Sequence, residues 1–312
     1  MRRSCRMRMV GSLLMLFMAV ILVGCASLPE VGPFVDATVE LRSAVVASGS
    51  TVVAELRLMP DGDVLASRLA QEWATRAQAV DALVIYAESL RTIIKAGQQG
   101  RQAARALADS VTGLAQGVGV VVPAAGALPV AVDAATFVYS HIALIRASNS
   151  LEEALVNAQP AVKRIAMILA QDLRAVDAIL QTANVDIQQR MLITHQVEWK
   201  FRDDLLAEQQ TLYKKARSER TAADEARLLA IDQLLTSTKV WHDPLQSKVA
   251  QTEQRLRVGR HLIDAAIQIT EQWAAGHEQL VFAVRDRRTI NPQALVQAAV
   301  DIRDLIKRIR EL

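Results

Sequence analysis

Cysteine is almost missing from this chain, which has only Cys5 and Cys25, both close to the N-terminus. Residues 26–312 contain no thiol, which excludes disulfide bonds, cysteine metal sites and a cysteine nucleophile from that segment. The chain is 51% hydrophobic. We therefore expect the body of the protein to be stabilised by its own packing, and it is long enough to bury a large core.

Aromatic residues are also scarce, at 4% of the chain, and neither charge is in large excess. Four of the 36 basic residues (Arg2, Arg3, Arg6 and Arg8) lie in the first eight positions, with no acidic neighbour. Without them, 32 basic residues stand against 33 acidic ones, a net charge of −1. No basic patch and no supply of stacking aromatic rings is left, so we predict no nucleic-acid binding.

The basic start is followed by an apolar run from Met9 to Val23. This run of 15 residues is shorter than the roughly 20 that a transmembrane helix needs. A basic segment followed by a short apolar one is typical of a secretory signal peptide, which we predict over residues 1–24.

The apolar run ends in Leu22-Val23-Gly24-Cys25, which resembles the lipobox of bacterial lipoproteins. The resemblance implies that Cys25 carries the lipid and that the chain is cut before it. Ala26 follows instead of the Asp that retains such proteins in the inner membrane, which implies an outer-membrane anchor facing the periplasm. The alternative is an ordinary signal peptide with a chance cysteine.

Strand-like alternation is scarce, and helix-forming residues dominate after a tether at residues 25–33. The sequence predicts an all-α fold: an elongated antiparallel bundle of long helices over residues 34–312, with a central apolar hairpin at residues 110–145 that contains Gly and Pro. Before the hairpin, we expect helices over residues 34–59 and 64–108, the second of them bent at Gly97 or Gly100.

Turn and cap residues divide the rest of the predicted bundle. A helix over residues 134–156 is followed by one that Gln159-Pro160 opens and Asn184-Val185-Asp186 ends. A long polar helix then runs to Ser237. Trp241-His242-Asp243-Pro244 forms a corner before a helix to Gly276, and Asn291-Pro292 starts the last helix.

Three of these helices carry apolar residues at steps of three and four, which predicts a buried face for each. The residues are Leu65, Leu69, Trp73, Val80, Val84, Ala87 and Ile94; Val162, Ile165, Leu169, Leu173, Val176 and Leu180; and Leu295, Ala299, Ile302, Ile306 and Ile309.

Catalytic motifs are missing: there is no HExxH, GxSxG, Walker A or dinucleotide fingerprint. His195 with Glu198, and His261 with Asp264, lie three residues apart and can each supply half of a metal site. Such pairs also arise as plain surface neighbours. We therefore predict no enzyme activity, no cofactor and no metal.

Ser110–Val132 carries no charge but holds four glycines and Pro123 and Pro129. Three interpretations compete for residues 110–145. They can form a buried helix pair in the core. They can form one transmembrane helix, which the prolines interrupt. Finally, they can form a hairpin that inserts into membranes, in which Gly113 and Gly117 have the spacing of helices that pack in lipid.

A mid-chain apolar hairpin between long amphipathic helices is similar in layout to the α-helical pore-forming toxins, and the similarity concerns arrangement only. Asp133 is costly in lipid and counts against insertion. The residues predicted to contact a membrane or a partner are Val118, Val120, Val121, Val122, Leu128 and Val130.

Together these features predict a lipid-anchored envelope protein that is a non-enzymatic binding or scaffolding module in the periplasm. Its expected partners are the membrane, through Cys25, and a protein of unknown identity, and self-association stays open. The alternative is a membrane-perturbing protein that inserts the 110–145 hairpin.

Overall fold

The computed structural model of the protein describes residues 30–97, 100–119, 140–286 and 293–310. Within these residues the chain is helical and has no β-strand, which confirms the predicted all-α bundle. The helices are α1 (Gly32–Arg57), α2 (Asp63–Lys95), α3 (Arg101–Gly119), α4 (140–147), α5 (Leu151–Thr194), α6 (Gln196–Lys214), a 3₁₀ turn (Arg217–Glu219), α7 (Ala222–Ser237), α8 (Lys239–Asp286) and α9 (Gln293–Arg310).

The described residues form two compact units. Those of unit 1 fall within Met1–Val39, Gln78–Ile168 and Ile269–Ala299, and those of unit 2 within Glu40–Ala77, Leu169–Gln268 and Val300–Leu312. Each unit has its own core. The proposed division into signal peptide, tether and bundle domain stays a prediction.

The core of unit 1 contains large side chains from α1, α2, α3, α4, α5 and α8, together with small residues from α3. Fully buried members include Leu83, Tyr86, Leu90, Leu107, Ile145, Leu155, Ile165 and Trp273. The Phe34 ring stacks on Trp273 at a centroid separation of 5.7 Å. These contacts fix α1 against α8 within the unit.

The core of unit 2 contains the buried faces of α1, α5 and α8 and the first turns of α2. Its members include Leu41, Val45, Val52, Leu173, Leu180, Leu262 and Ile263. Trp73 of α2 donates from Nε1 to the Val45 carbonyl at 2.8 Å, and its ring lies against Gly49. A Cβ atom at Gly49 would be 1.9 Å from the Trp73 ring, so only glycine permits this approach.

The predicted helix over residues 64–108 is wrong, because the chain forms two helices there. Helix α2 ends at Lys95 and α3 begins at Arg101. Gly97 has a φ of +67°, a left-handed conformation that glycine adopts at low cost and that ends a helix. The bend predicted at Gly97 or Gly100 is therefore a break between two separate helices.

The predicted helix start at Gln159-Pro160 is also wrong, since α5 begins at Leu151 and Pro160 lies inside it. Ser150 and Glu153 provide the start instead. The Glu153 amide donates to Ser150 Oγ at 3.1 Å, and the Glu153 carboxylate accepts from the Asn149 amide at 2.8 Å. This pairing resembles a capping box and satisfies amides that the first turn leaves open.

Asn184 does not end a helix as predicted, because α5 continues to Thr194. The side chain is buried, and Nδ2 donates to the Thr252 carbonyl of α8 at 3.1 Å. A contact between helices therefore uses the amide that the sequence suggested for a cap.

The predicted long polar helix to Ser237 is two helices, α6 and α7, which form the α6–α7 hairpin. Thr221 and Asp224 form a capping box that starts α7. The two helices pack through Leu205, Ile231 and Leu235. Arg227 closes the outside of the hairpin with two hydrogen bonds of 2.7 Å to the Glu208 carboxylate.

The corner predicted at residues 241–244 lies inside α8, which runs from Lys239 past Gly276 to Asp286. Helix α1 begins at Gly32, within the predicted tether. In α9, Ala299 and Ile302 are buried and Ile306 is half-buried. The side chains of Leu295 and Ile309 lie outside the described residues.

The two other apolar stripes are largely confirmed. All six members of the α5 stripe are buried. In the α2 stripe, Leu65 is exposed and Val84 is half-buried, whereas the other five are buried. The exposed Leu65 lines an apolar groove at the surface of unit 2.

Candidate functional site

An apolar groove of about 420 Å³ opens at the surface of unit 2. The end of α1, the start of α2 and the middle of α5 form its walls. It is lined by Leu56, Met59, Leu65, Arg68, Leu69, Glu72, Ala178, Ile179, Thr182 and Ala183. Seven of these ten residues are apolar, so the groove favours apolar groups.

The turn between α1 and α2 places the end of α1 beside the start of α2, so that both helices line the groove. The Met59 amide donates to the Leu56 carbonyl at 3.1 Å, and the Gly62 amide donates to the Met59 carbonyl at 3.0 Å. Asp61 has a φ of +61°, which lets the chain reverse within these few residues. Met59 therefore lies beside the first turns of α2.

The groove has a buried floor and exposed walls. Leu56 and Leu69 are buried, whereas Leu65 and Ile179 are 48% and 37% exposed. Two further exposed apolar residues lie within two positions of these in sequence: Leu58 and Val64. Large apolar residues that stay exposed together at one surface indicate a binding area.

Arg68 and Glu72 stand at the edge of the groove, one helical turn apart on α2. Arg68 is exposed and Glu72 is half-buried. Neither side chain forms an ion pair with another residue in the described part of the chain. Both charges are available to a bound molecule.

A second cavity of about 680 Å³ lies between α1 and α9 in unit 2. Arg303 of α9 binds Glu40 of α1 there, through Nε at 3.1 Å and Nη2 at 2.7 Å. The lining combines small residues of α1 with Arg42 and Lys307. Charged residues of both helices and serine and threonine hydroxyl groups of α1 line this cavity, so it is more polar than the groove.

A chain of buried polar groups lies in the core of unit 1. The Tyr86 hydroxyl is 2.6 Å from His277 Nε2, and His277 Nδ1 contacts Oε1 of Gln159. Gln159 in turn donates from Nε2 to the Ala274 carbonyl at 3.3 Å. Because that amide already donates, His277 carries its proton on Nδ1 and accepts from Tyr86.

Burial lowers the pKa of His277 to about 3 and raises the pKa of Tyr86 above its usual range. Both groups are therefore neutral near pH 7. Their side chains are fully buried, and neither lines the two cavities described above. The arrangement can hold helices in register, and within the described residues the imidazole is buried away from both cavities.

The predicted histidine pairs lie at the surface. His195 Nδ1 is 3.9 Å from Glu198 Oε1, and His261 is exposed. Among the described residues, no group of three His, Cys, Asp or Glu side chains is close enough to hold a metal ion. His242 instead packs against the Trp199 ring, at a centroid distance of 5.0 Å.

The predicted contact residues Val120, Val121, Val122, Leu128 and Val130 lie outside the described residues, as does Cys25. Val118 falls in the last turn of α3, but its side chain is not among those described. The first part of the predicted hairpin is helical, and Val111 is buried. No helix within residues 30–97, 100–119, 140–286 and 293–310 is both long and apolar enough to cross a membrane.

Sequence reasoning missed the apolar groove. A signal was present, since Leu56, Leu58, Met59, Val64 and Leu65 crowd the turn around Pro60, where polar residues are usual. The opposite wall, at Ala178 and Ile179, comes from a helix more than 100 residues away. Only the fold shows that these residues meet.

The chain matches no known protein family, and comparison with curated proteins and with solved structures gives no significant similarity. The functional argument therefore depends on the geometry of the chain itself.

Proposed function

We propose that this chain is a lipid-anchored bacterial envelope protein whose helical body acts as a non-enzymatic binding module in the periplasm. The apolar groove of unit 2 is the observation that carries the proposal. It combines a buried floor of Leu56 and Leu69 with exposed walls at Leu65 and Ile179. Water contacts those walls in the free protein, so covering them with an apolar surface is favourable.

The occupant of the groove is an amphipathic helix of a partner protein. The walls are themselves helices, and ridges of side chains on a third helix pack into such a groove. Met59 can adapt its shape to different side chains. Arg68 and Glu72 offer one charge of each sign to the polar flank of the bound helix, which sets its direction.

A catalytic role has less support in the described residues. The most perturbed titrating groups, Tyr86 and His277, lie in a closed core and are held neutral by burial. A catalytic acid or base has to reach its substrate within hydrogen-bonding distance, and neither group can do so.

The groove is tested with photo-crosslinkers in full-length protein in its own cells. One crosslinker replaces Leu65, and a matched control replaces Val156, which is 46% exposed on α5 in unit 1. We expect a protein adduct at position 65 only, with partner contacts spaced three or four residues apart in mass spectrometry. Adducts with lipid alone, or equal adducts at both positions, would contradict this proposal.

The anchor is tested separately with Cys25→Ser in the full chain. Radioactive palmitate should label the wild type, and the variant should lose both the label and its place in the membrane fraction. If the variant keeps the label, Cys25 is not the site of lipid attachment and the proposed anchor is wrong. The proposed role of the groove does not depend on this result.

The alternative function, membrane insertion by residues 110–145, rests on the sequence of that segment. Dye release from liposomes of anionic and neutral lipids separates it from the binding function. Leakage that Val120→Asp and Val121→Asp abolish would favour insertion, whereas a protein that leaves liposomes intact supports the binding module.

A further inference from the structure

The second cavity of unit 2 has the size and the lining of a site for a small molecule. We call it the α1–α9 cavity. It has a volume of about 680 Å³ and is lined from residues 40–54 of α1 and residues 303–307 of α9. This volume lies within the range of pockets that hold small organic molecules. The cavity shares no lining residue with the apolar groove.

An ion pair joins the two walls at one end of the cavity. Arg303 donates to Oε1 of Glu40 from Nε at 3.1 Å and from Nη2 at 2.7 Å. Glu40 and Arg303 are the first residues of α1 and of α9 to line the cavity. A partner helix needs a groove that is open along its length, so a space bridged at its end suits a small molecule better.

Part of the lining is apolar. Val46 and Ala47 of α1 and Ile306 of α9 are half-buried and face the cavity. Water that contacts these side chains is displaced favourably by an apolar group. The cavity can therefore stabilise the apolar body of a ligand.

Basic residues outnumber acidic ones in the lining. Arg42, Arg303 and Lys307 carry three positive charges against the one negative charge of Glu40, a sum of +2. The Glu40 carboxylate is bound to Arg303. Lys307 is exposed and forms no ion pair with another residue of the described ranges. Its ammonium group can therefore bind a carboxylate or phosphate oxygen of a ligand.

Two hydroxyl groups in the lining can accept a hydrogen bond but not donate one. Ser50 Oγ donates to the Val46 carbonyl at 3.0 Å, and Thr51 Oγ1 donates to the Ala47 carbonyl at 2.9 Å. Each hydroxyl has a single proton, which these bonds use. A ligand that binds the two oxygens therefore has to bring an N–H or O–H donor.

We propose that the α1–α9 cavity binds a small amphiphilic oxyanion, a molecule with a carboxylate or phosphate group, an N–H or O–H donor and an apolar body. Lys307 binds the oxyanion, and the Ser50 and Thr51 oxygens accept from the donor. Val46 and Ile306 cover the apolar body. A free solute and an anionic lipid such as phosphatidylglycerol share this chemistry. The proposal does not rest on the partner helix of the apolar groove.

Lysine acetylation, read by mass spectrometry, tests the site in the full-length chain in nanodiscs of neutral phosphatidylcholine. The probe is N-acetyl-L-phenylalanine, which has one carboxylate, one amide N–H and one apolar ring. At twice its dissociation constant or more, it should slow acetylation of Lys307 about threefold or more. Lys214 is the control, since it is exposed on α6 and does not line the cavity.

Two matched probes separate the parts of the ligand. N-acetyl-L-phenylalaninamide lacks the carboxylate and should leave Lys307 unprotected. 3-Phenylpropanoate keeps the carboxylate and the ring but lacks the amide N–H, and it should bind about fivefold more weakly than N-acetyl-L-phenylalanine.

Nanodiscs that contain phosphatidylglycerol distinguish the two sources of the ligand. Protection of Lys307 in these nanodiscs without any probe identifies a lipid headgroup as the source. Protection that appears only when N-acetyl-L-phenylalanine is added identifies a free molecule. Lys214 should react at the same rate in both kinds of nanodisc.

Variants of the full chain test the same contacts by saturation-transfer NMR. Lys307→Met should weaken binding of N-acetyl-L-phenylalanine about fivefold or more, whereas Lys307→Arg should keep the affinity within about twofold, because it keeps the charge. Ser50→Ala combined with Thr51→Val should weaken binding of this probe but not of 3-phenylpropanoate, which has no N–H group. Circular dichroism should show unchanged helicity for the Lys307 variants, since this side chain is exposed.

Three results would overturn the site. Equal protection of Lys307 and Lys214, or equal protection by the acid and its amide, would mean non-specific binding. A Lys307 that reacts at one rate with and without N-acetyl-L-phenylalanine and phosphatidylglycerol would mean that the cavity binds no such anion. None of these results bears on the apolar groove, which crosslinking at position 65 tests separately.

Discussion

The hydroxyl group of Tyr86 lies 2.6 Å from Nε2 of His277, and both side chains are fully buried. The contact joins α2 to α8 within unit 1. Because the imidazole also contacts Gln159 of α5, one neutral histidine links three helices. Hydrogen bonds in such a closed environment are directional, so they favour one register of the helices over its neighbours.

The stability of unit 1 should depend on pH through His277. Burial lowers the pKa of His277 to about 3, below its ordinary value of 6.5. Between these two values the unfolded chain binds one more proton than the folded chain, so stability falls as the pH decreases. The stabilisation is complete above pH 6.5 and is lost towards pH 3, by up to about 1.4 kcal/mol per pH unit.

The pH effect is measured against His277→Gln in urea unfolding of the full chain. We expect the wild type to be more stable near neutral pH and this difference to shrink by about 2 kcal/mol between pH 7 and pH 5. The other titrating groups occur in both proteins, so their contributions to the pH dependence cancel in the difference. A difference that stays constant over this range would show that His277 does not titrate as its burial requires.

Tyr86→Phe should destabilise the protein by about 1–3 kcal/mol, because it leaves Nε2 of His277 buried without a donor. Tyr213→Phe is the matched control, since Tyr213 is 52% exposed and its ring retains the contact with Arg220, 5.1 Å away. We expect the control to change the free energy of unfolding by less than about 0.5 kcal/mol. Equal effects of the two changes in chemical denaturation would contradict the structural role of the Tyr86 hydroxyl.

The helical character and the buried faces could be predicted from the sequence, because the spacing of apolar residues reflects which side of a helix faces the core. The α5 stripe from Val162 to Leu180 is buried along its whole length. Helix ends were harder to predict. Pro160 and Asn184 both suggest ends in isolation, yet the cap at Ser150 and the contact from Asn184 to Thr252 carry the helix past them.

The candidate site could not be predicted for a related reason. A sequence pattern shows that Leu65 belongs to an apolar stripe, but not that the stripe is left uncovered at that turn. Coverage depends on where Ile179 of α5 lies relative to α2, and this follows from the packing of the whole unit.

Gly49→Ala should destabilise unit 2, because the new Cβ atom would lie 1.9 Å from the buried Trp73 ring. The ring is held by its hydrogen bond to Val45, so either that bond or the helix spacing has to give, at about 1–3 kcal/mol. Gly113→Ala is the matched control, since nothing lies within 4 Å of its Cβ position in α3. The control should stabilise the protein by about 0.5–1 kcal/mol, so thermal unfolding midpoints should move in opposite directions.

Arg255→Met should be among the most damaging single changes in unit 2. The Glu55 side chain is 4% exposed, and its Oε1 atom lies 2.7 Å from Arg255 Nε. Its Oε2 atom is buried and has no hydrogen-bond partner among the described residues, so Arg255 is the main compensation for a buried carboxylate. Removing one member of such a pair costs about 3–5 kcal/mol, whereas replacing both with apolar residues is often close to neutral.

The double variant Glu55→Leu with Arg255→Met therefore tests the explanation as well as the magnitude. We expect it to recover most of the stability that Arg255→Met loses, as measured by urea unfolding of all four proteins in a double-mutant cycle. If the two losses simply add, the Arg255 side chain acts through its packing and its 3.2 Å hydrogen bond to Thr252 Oγ1, and not by neutralising Glu55. Recovery would instead identify this ion pair as a feature that unit 2 retains despite a limited net contribution to its stability.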